Sequence, residues 1–194
     1  MGRDLQGRRI LITGASGGIG RCLAARAAAA GARLVLAARS ADRLDELARA
    51  LTASGAESIP VAADVTSEAD RRRLLDAAVE RLGGLDVLVN NAGVASFGHF
   101  ADSSEAVLRQ VMEVNFFAPA ELIRRAAPLL TEGRQPAVVN IASMCGRRGV
   151  PAWSEYSASK FALCGLTEAL RGELARFGID ALLARKVRHL YAQG

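Results

Sequence analysis

Short apolar runs alternate with amphipathic stretches along the chain. Residues 9–13, 33–38, 58–62, 86–90, 137–142 and 179–184 read as strands. Runs such as Val87-Leu88-Val89, apolar on both faces, suit parallel strands covered from either side. Between them apolar residues recur at helical spacing. Leu44, Leu47, Ala48 and Leu51 follow Ser40 as an N-cap, and Leu74, Leu75, Ala78, Val79 and Leu82 follow Ser67, with Asp70 placed as in a capping box. Other helical stretches run over 22–30, about 104–130, and from Tyr156 through Leu163, Leu166, Leu170 and Leu174. The alternation predicts one α/β domain over residues 1–194, a doubly wound parallel sheet with helices on both faces. Ligands of such sheets bind at the carboxyl ends of the strands, near the reversal of strand order.

Those strand ends carry the unusual residues. The first strand runs into Thr13-Gly14-Ala15-Ser16-Gly17-Gly18-Ile19-Gly20, four glycines among eight residues, and then into an alanine-rich helix. Glycine lets backbone N–H groups approach an anion closely, and the helix behind points its positive end at the same place. A pyrophosphate fits there. No Lys-Ser/Thr pair follows the last glycine, so the turn is not a P-loop, and by itself it also reads as a tight strand-to-helix turn. The second strand ends in Ala37-Ala38-Arg39-Ser40, without the acid that binds a ribose 2′-hydroxyl in NAD proteins. A guanidinium there suits a 2′-phosphate, which favours NADP over NAD; the other reading of Arg39 is an ordinary solvated residue.

Composition narrows the class further. With 194 residues, 51% of them hydrophobic and 23% charged, the chain can bury a sizeable core as one soluble domain. The polar start is not a signal peptide, Gln6 stands where myristoylation needs Ser or Thr, and no apolar run is long enough for a membrane. Cys22, Cys145 and Cys164 show no metal or CxxC spacing, which points to reduced thiols in a cytoplasmic protein, most of them small core residues. The net charge of +5 comes from arginines scattered among acids, without aromatic interleaving, so nucleic acid is not an expected partner.

Tyr156 and Lys160 lie four apart on a helix and share a face. An ammonium beside a phenol is expected to lower the phenol's pKa and make Tyr156 a proton donor and acceptor near neutrality. Ser143, after the fifth strand, is placed to donate a hydrogen bond to a carbonyl held before that Tyr. In a helix over 104–130 the Asn115 carbonyl should be left without its N–H, because residue 119 is Pro119. Such a carbonyl can hold a water that links Lys160 to solvent; alternatively Pro119 only kinks the helix.

Over about residues 5–183 the chain resembles the short-chain dehydrogenases/reductases. The residues that carry the resemblance are Thr13-Gly14-x-x-x-Gly18-x-Gly20, Asp64, Asn90-Asn91-Ala92-Gly93, Asn115, Ser143 and Tyr156-x-x-x-Lys160, in that order. It implies a Rossmann-like fold and a catalytic tetrad of Asn115, Ser143, Tyr156 and Lys160. It also implies cofactor contacts from Thr13, Gly14, Ser16, Gly18, Ile19 and Gly20 in the turn, from Arg39 and Ser40, and from Asp64 and Val65 at the adenine. Asn91, Ala92 and Gly93 would support the turn and the adenine-side ribose, with Tyr156 and Lys160 at the nicotinamide end. The implied activity is hydride transfer between NADP and a small-molecule alcohol or carbonyl. The implied assembly is a homo-oligomer, dimer or tetramer, paired through helices near 107–130 and 154–177.

One departure sets up a rival expectation. The family continues past its sixth strand into a Pro-Gly turn, a substrate-covering segment and a seventh strand, whereas this sequence stops 34 residues after Lys160 in a basic tail. The shortened end predicts slow turnover, an exposed sheet edge at 179–184, and, as the alternative function, a dinucleotide-binding or interaction module that does not turn over. Phe97, His99, Met144, Trp153 and the 146–151 loop suggest a partly apolar pocket, with His99 an ordinary loop residue.

Overall fold

The structure is a computed structural model and describes residues 4–186. The strands are β1 (Arg9–Thr13), β2 (Arg33–Ala38), β3 (Ser58–Ala62), β4 (Val87–Asn90), β5 (Ala137–Ser143) and β6 (Asp180–Lys186). They form one parallel sheet in the order β3-β2-β1-β4-β5-β6. The helices are α1 (Gly18–Ala29), α2 (Ala41–Ala53), α3 (Glu68–Leu82), α4 (Glu105–Met112), α5 (Ala118–Thr131) and α6 (Ser154–Ala175). The chain returns from β3 to place β4 beside β1, so strand order reverses there and a crevice opens at the carboxyl ends.

Strands β1, β2, β4 and β5 feed two cores, which is why their sequences are apolar at successive positions. On one face Leu11, Val35, Leu88 and Val138 pack with Leu74 and Leu75 of α3 and Leu122 and Leu130 of α5. On the other, Ile10, Ile12, Leu34 and Leu36 pack with Ala24 of α1 and Leu44, Leu47 and Leu51 of α2. The expected doubly wound sheet is thus present, and its strands begin and end within a residue or two of the predicted positions.

Local differences have physical causes. The helix expected over 104–130 is broken into α4, a π turn (Glu113–Phe117) and α5. Pro119 has no N–H to give the Asn115 carbonyl, and the ladder widens so that Ala118 N–H donates to the Glu113 carbonyl. Only half of the expected capping box forms. Ser67 Oγ accepts the Asp70 N–H at 3.3 Å, but the Asp70 carboxylate takes the N–H of Asp64 at 2.8 Å and pairs with Arg73. Ser40 occupies the N-cap of α2 without a side-chain cap bond. Cys145 and Cys164 are buried and Cys22 is exposed. Residues 187–194, most of the expected solvated basic tail, lie outside the described residues.

Asp86 precedes β4 instead of opening it, because its carboxylate clasps the opposite end of the sheet. It accepts from Arg9 N at 2.9 Å, Arg9 Nε at 3.1 Å, Arg9 Nη2 at 2.6 Å and Arg134 N at 2.8 Å. Burial alone would push this carboxyl up; the bonds from Arg9 and Arg134 outweigh it and bring it down to about 2. A depressed carboxylate stabilises the fold above its unfolded pKa and loses that effect as pH falls through its folded one. Asp86→Ala should therefore cost about 3 kcal/mol at neutral pH, as expected for a buried pair stripped of one partner. In urea titrations the gap to the parent protein should shrink between about pH 4 and pH 2. An equal gap at both ends of that range would show that the ionised carboxylate is not what stabilises this edge.

Candidate active site

The glycine turn is held against the end of β4. Thr13 Oγ1 accepts the N–H groups of Asn91 and Ala92, each at 3.0 Å, and donates to the Val89 carbonyl at 3.3 Å. Asn91 Nδ2 donates to the carbonyls of Thr13 and Gly14 at 2.9 and 3.1 Å. The approach leaves no room for side chains: a Cβ on Gly20 would lie 2.1 Å from the Gly14 carbonyl oxygen, and one on Gly14 2.8 Å from Ala92 Cα. Gly17 and Gly18 face open space instead. Gly17 caps α1 without a side-chain bond, and the first turn carries no acid. The first-turn N–H groups of α1 thus have no acceptor within the helix, and the donor set fits a diphosphate.

Two adjoining cavities flank the turn and share Gly93 and Val94. One, about 290 Å³, is lined by Gly14, Ser16, Arg39, Ser40, Asp64 and Val65, with Ala92 beside them. The other, about 230 Å³, is lined by Gly17, Ile19, Asn91, Ala142, Tyr156 and Lys160. Thr13, Gly18, Gly20, Asn115 and Ser143 do not line these cavities; Thr13 and Gly20 form the crossing behind them. A cavity on each side of an anion cradle is the shape a dinucleotide requires.

Sequence reasoning missed a residue that lines the first cavity and another that holds its wall from behind. Arg43, one turn beyond Arg39, lines it as well. Arg71, only 7% exposed, donates through Nη1 to the carbonyls of Val65 and Thr66 at 2.7 and 2.8 Å and so fixes the loop after β3. In Arg71-Arg72-Arg73 nothing in the sequence marks the first as the buried one. The Asp64 carboxylate shapes the same loop, accepting the N–H and hydroxyl of Thr66 at 2.9 and 2.8 Å.

At the other end, Ser143 closes β5 and its Oγ accepts the Cys145 N–H at 3.2 Å. Tyr156 and Lys160 share a face of α6, with Lys160 Nζ 5.8 Å from the centre of the Tyr156 ring. The expected lowering of the Tyr156 pKa does not occur. Burial raises it, and the Ser143 hydroxyl opposes that only in part. The ammonium that was to lower it lies over the ring and donates instead to the Ile141 carbonyl at 3.1 Å. Burial also brings Lys160 down, to about 8.

Asn115, in the π turn, is 1% exposed and ties three elements together. Its Oδ1 accepts Val94 N–H at 2.9 Å, and its Nδ2 donates to the Val94 carbonyl at 2.8 Å and to Ser159 Oγ at 3.0 Å. Ser159, also unforeseen, passes the tie to the Tyr156 carbonyl at 2.7 Å. Beside Tyr156 an aromatic chain runs outward, with Trp153 5.6 Å from the Tyr156 ring and Phe97 5.4 Å from Trp153. Phe97 and Met144 are exposed and His99 sits in the loop; none of them lines either cavity.

A doubly wound parallel sheet with a glycine turn at its first strand is a Rossmann-like fold. Residues 8–184 match the model of the short chain dehydrogenase family, and the chain belongs to that family. It is 39% identical over 175 residues to the uncharacterized oxidoreductase YxnA of Bacillus subtilis, covering 90% of this chain and 49% of that protein. It is 37% identical over 176 residues to the ketoacyl reductase HetN of a Nostoc species, covering 91% of this chain and 61% of that protein. A short chain dehydrogenase/reductase from Burkholderia phymatum, solved in complex with NAD, superposes with a TM-score of 0.88 at 34% identity, over 95% of this chain and 66% of that one. The chain spans about half to three fifths of the length of these curated relatives. No helix among the described residues is long and apolar enough to cross a membrane.

The crossing makes a contrast testable. Gly20→Ala puts a Cβ into backbone and should lower stability by about 2 kcal/mol, whereas Gly17→Ala, in open space and extended backbone, should melt with the parent. Equal melting temperatures for the two variants would show that the turn can move away from β4.

Proposed function

We propose that this chain is an NADP-dependent oxidoreductase acting on an alcohol/carbonyl pair, with Tyr156 as the acid/base. The observation that carries the proposal is that Tyr156 and Lys160 line the same cavity as Gly17 and Ile19 of the anion-binding turn. The nicotinamide, bound on that side, supplies or takes the hydride. Tyr156 holds its proton at neutral pH and can give it to the substrate oxygen. Ser143 already accepts the Cys145 N–H, which leaves its own hydrogen for that oxygen. Lys160 carries positive charge for the nicotinamide ribose and, once Nζ leaves the Ile141 carbonyl, for a developing phenolate. Asn115 holds the segment after β4 against α6, and its backbone carbonyl is the proposed site of the water that relays protons to Lys160.

NADP is favoured over NAD because β2 ends without an acid and both Arg39 and Arg43 line the adenosine-side cavity. The Burkholderia relative is seen with NAD, so the preference belongs to this chain's own cavity. A small-molecule substrate and a reducing, cytoplasmic setting complete the proposal. The alternative is a dinucleotide-binding module without turnover, which shares every expectation except hydride transfer.

A homo-oligomer is proposed as well. Phe117 and Phe161 are 48% and 45% exposed, and a groove on the same side is lined by Leu108, Met112 and Phe117. Sedimentation at micromolar concentration should show a dimer or larger, and a monomer there would reject this part.

Loss of NADPH absorbance across a panel of ketones and aldehydes tests the central claim. Tyr156→Phe should abolish turnover while changing NADPH affinity by less than about twofold, and Lys160→Ala should weaken both. Arg39→Asp should make NADH the better cofactor. In the parent protein the reduction rate should fall as pH rises through about 8, where Lys160 loses its proton. Retained activity in Tyr156→Phe would overturn the acid/base assignment, and equal affinity for the two cofactors would overturn the preference for NADP.

A further inference from the structure

Next to the proposed acid lies a second ionisable group that the reaction does not use. Glu155 is 3% exposed at the start of α6, and no cation among the described residues is paired with it. A carboxylate so buried is costly unless its oxygens are bonded. Its Oε2 accepts from Ser96 Oγ at 3.2 Å. The Ser103 hydroxyl is the strongest influence holding the carboxyl below its usual range, with Ser96 adding to it. Oε1 meets no partner of normal hydrogen-bond geometry among the described residues. The positive end of α6 favours the charge as well.

The two serines stand near the ends of one stretch, residues 94–103, which leads from β4 towards α4. Its start is bonded to Asn115 through both backbone groups of Val94. Its middle is tied by Gly98 N–H to the Ala152 carbonyl at 2.9 Å, and Phe97 packs on Trp153, which packs on Tyr156. The stretch follows Gly93, has Gly98 at its centre and exposes Phe97 and Phe100, so apolar burial does little to fix it. These ties run to the π turn that carries Asn115, to α6 and to the loop just before it, and Glu155 is the acidic group among them.

We propose that Glu155 is a positioning residue for substrate: by holding Ser96 through Oε2 it keeps residues 94–103 as a fixed, partly aromatic wall beside Tyr156. The proposal rests on Tyr156 as the acid/base. The wall suits a ketone or alcohol with an apolar or aromatic body, which Phe97 and Trp153 would flank while its oxygen meets Tyr156 and Ser143. A charge that merely caps α6 would stabilise the helix and leave substrate affinity alone.

The test uses the full chain with Glu155→Ala, Glu155→Gln and the double variant Ser96→Ala/Ser103→Ala. Two readouts apply: kinetics with the most reactive aryl ketone of the panel, and acrylamide quenching of Trp153, the single tryptophan. Glu155→Ala and the double serine variant should each raise KM for the ketone by about fivefold or more, with kcat and NADPH affinity within about twofold, as expected when a substrate-positioning contact is lost. Both should also roughly double the quenching of Trp153. Glu155→Gln, whose carbonyl still accepts from a serine, should keep most of the parent KM. If Glu155→Ala does not fold, the double serine variant decides, since it leaves α6 and its charge intact. Unchanged KM and quenching in that variant, or a Gln variant as impaired as the Ala one, would overturn the proposal. Absence of turnover in the parent would instead reject the Tyr156 assignment, and Trp153 quenching would still decide whether Glu155 holds the wall.

Discussion

The site depends on the crossing of the glycine turn and the end of β4. Thr13 Oγ1 is the hub, because one hydroxyl accepts two backbone N–H groups and donates to a third backbone group. Without it two largely buried donors would lie unpaired, at about 1–3 kcal/mol each. The hub matters beyond stability because β1 and β4 are the strands between which the order reverses. Clamping their ends together fixes the mouth of the crevice, and with it the distance between the α1 N-terminus on one side and Asn91 to Val94 on the other. The glycines serve the same contact: Gly14 and Gly20 allow it, and Gly17 and Gly18 leave space above it.

The second half of the site is located by polar contacts along α6. Lys160 bonds to Ile141 of β5, Ser159 to Asn115 of the π turn, and Thr167 accepts from Asn140 of β5 at 2.9 Å. Asn140 in turn accepts from Asn90 of β4 at 2.8 Å. Apolar packing would tolerate a sliding helix, because it is not directional. A satisfied polar chain through the core does not, since a shift of one residue would strand several buried groups at once. Tyr156 is therefore held at a set height above the same two strands that carry the turn's partner residues and Ser143.

This division explains what was legible in the sequence. Strands buried on both faces announce themselves by composition, and parallel connection puts their carboxyl ends on one side, so the turn, Arg39, Asp64, Asn91 and Ser143 could be placed together before any coordinates. Arg71 and Glu155 could not. Each reads as a surface charge on a helix; Arg71 is buried by turning back onto residues 65 and 66 just before its own helix, and Glu155 by a contact with Ser96 from a distant stretch. The π turn was half legible: Pro119 showed that a hydrogen bond must be missing, but not that the helix would absorb the loss by widening. The sign of the Tyr156 shift was misread because spacing gives a shared face and says nothing about where a long side chain ends.

That misread sign bears on how the proposed chemistry is poised. Burial acts on both groups and favours the neutral form of each, so the phenol keeps its proton more firmly while the ammonium gives up its own more readily. A phenol held protonated is ready to serve as the acid in carbonyl reduction. The reverse reaction needs a phenolate, and that needs positive charge near the phenol oxygen. In the structure Lys160 Nζ is bonded to the Ile141 carbonyl and is not among the groups that shift the phenol. A phenolate, whether formed in reduction or consumed in oxidation, would therefore draw Nζ from the Ile141 carbonyl towards the hydroxyl, exchanging one hydrogen bond for an electrostatic contact. Reduction ends and oxidation begins with that phenolate, so the exchange serves both directions, and Ser143 is the group in the structure already opposing the effect of burial on Tyr156.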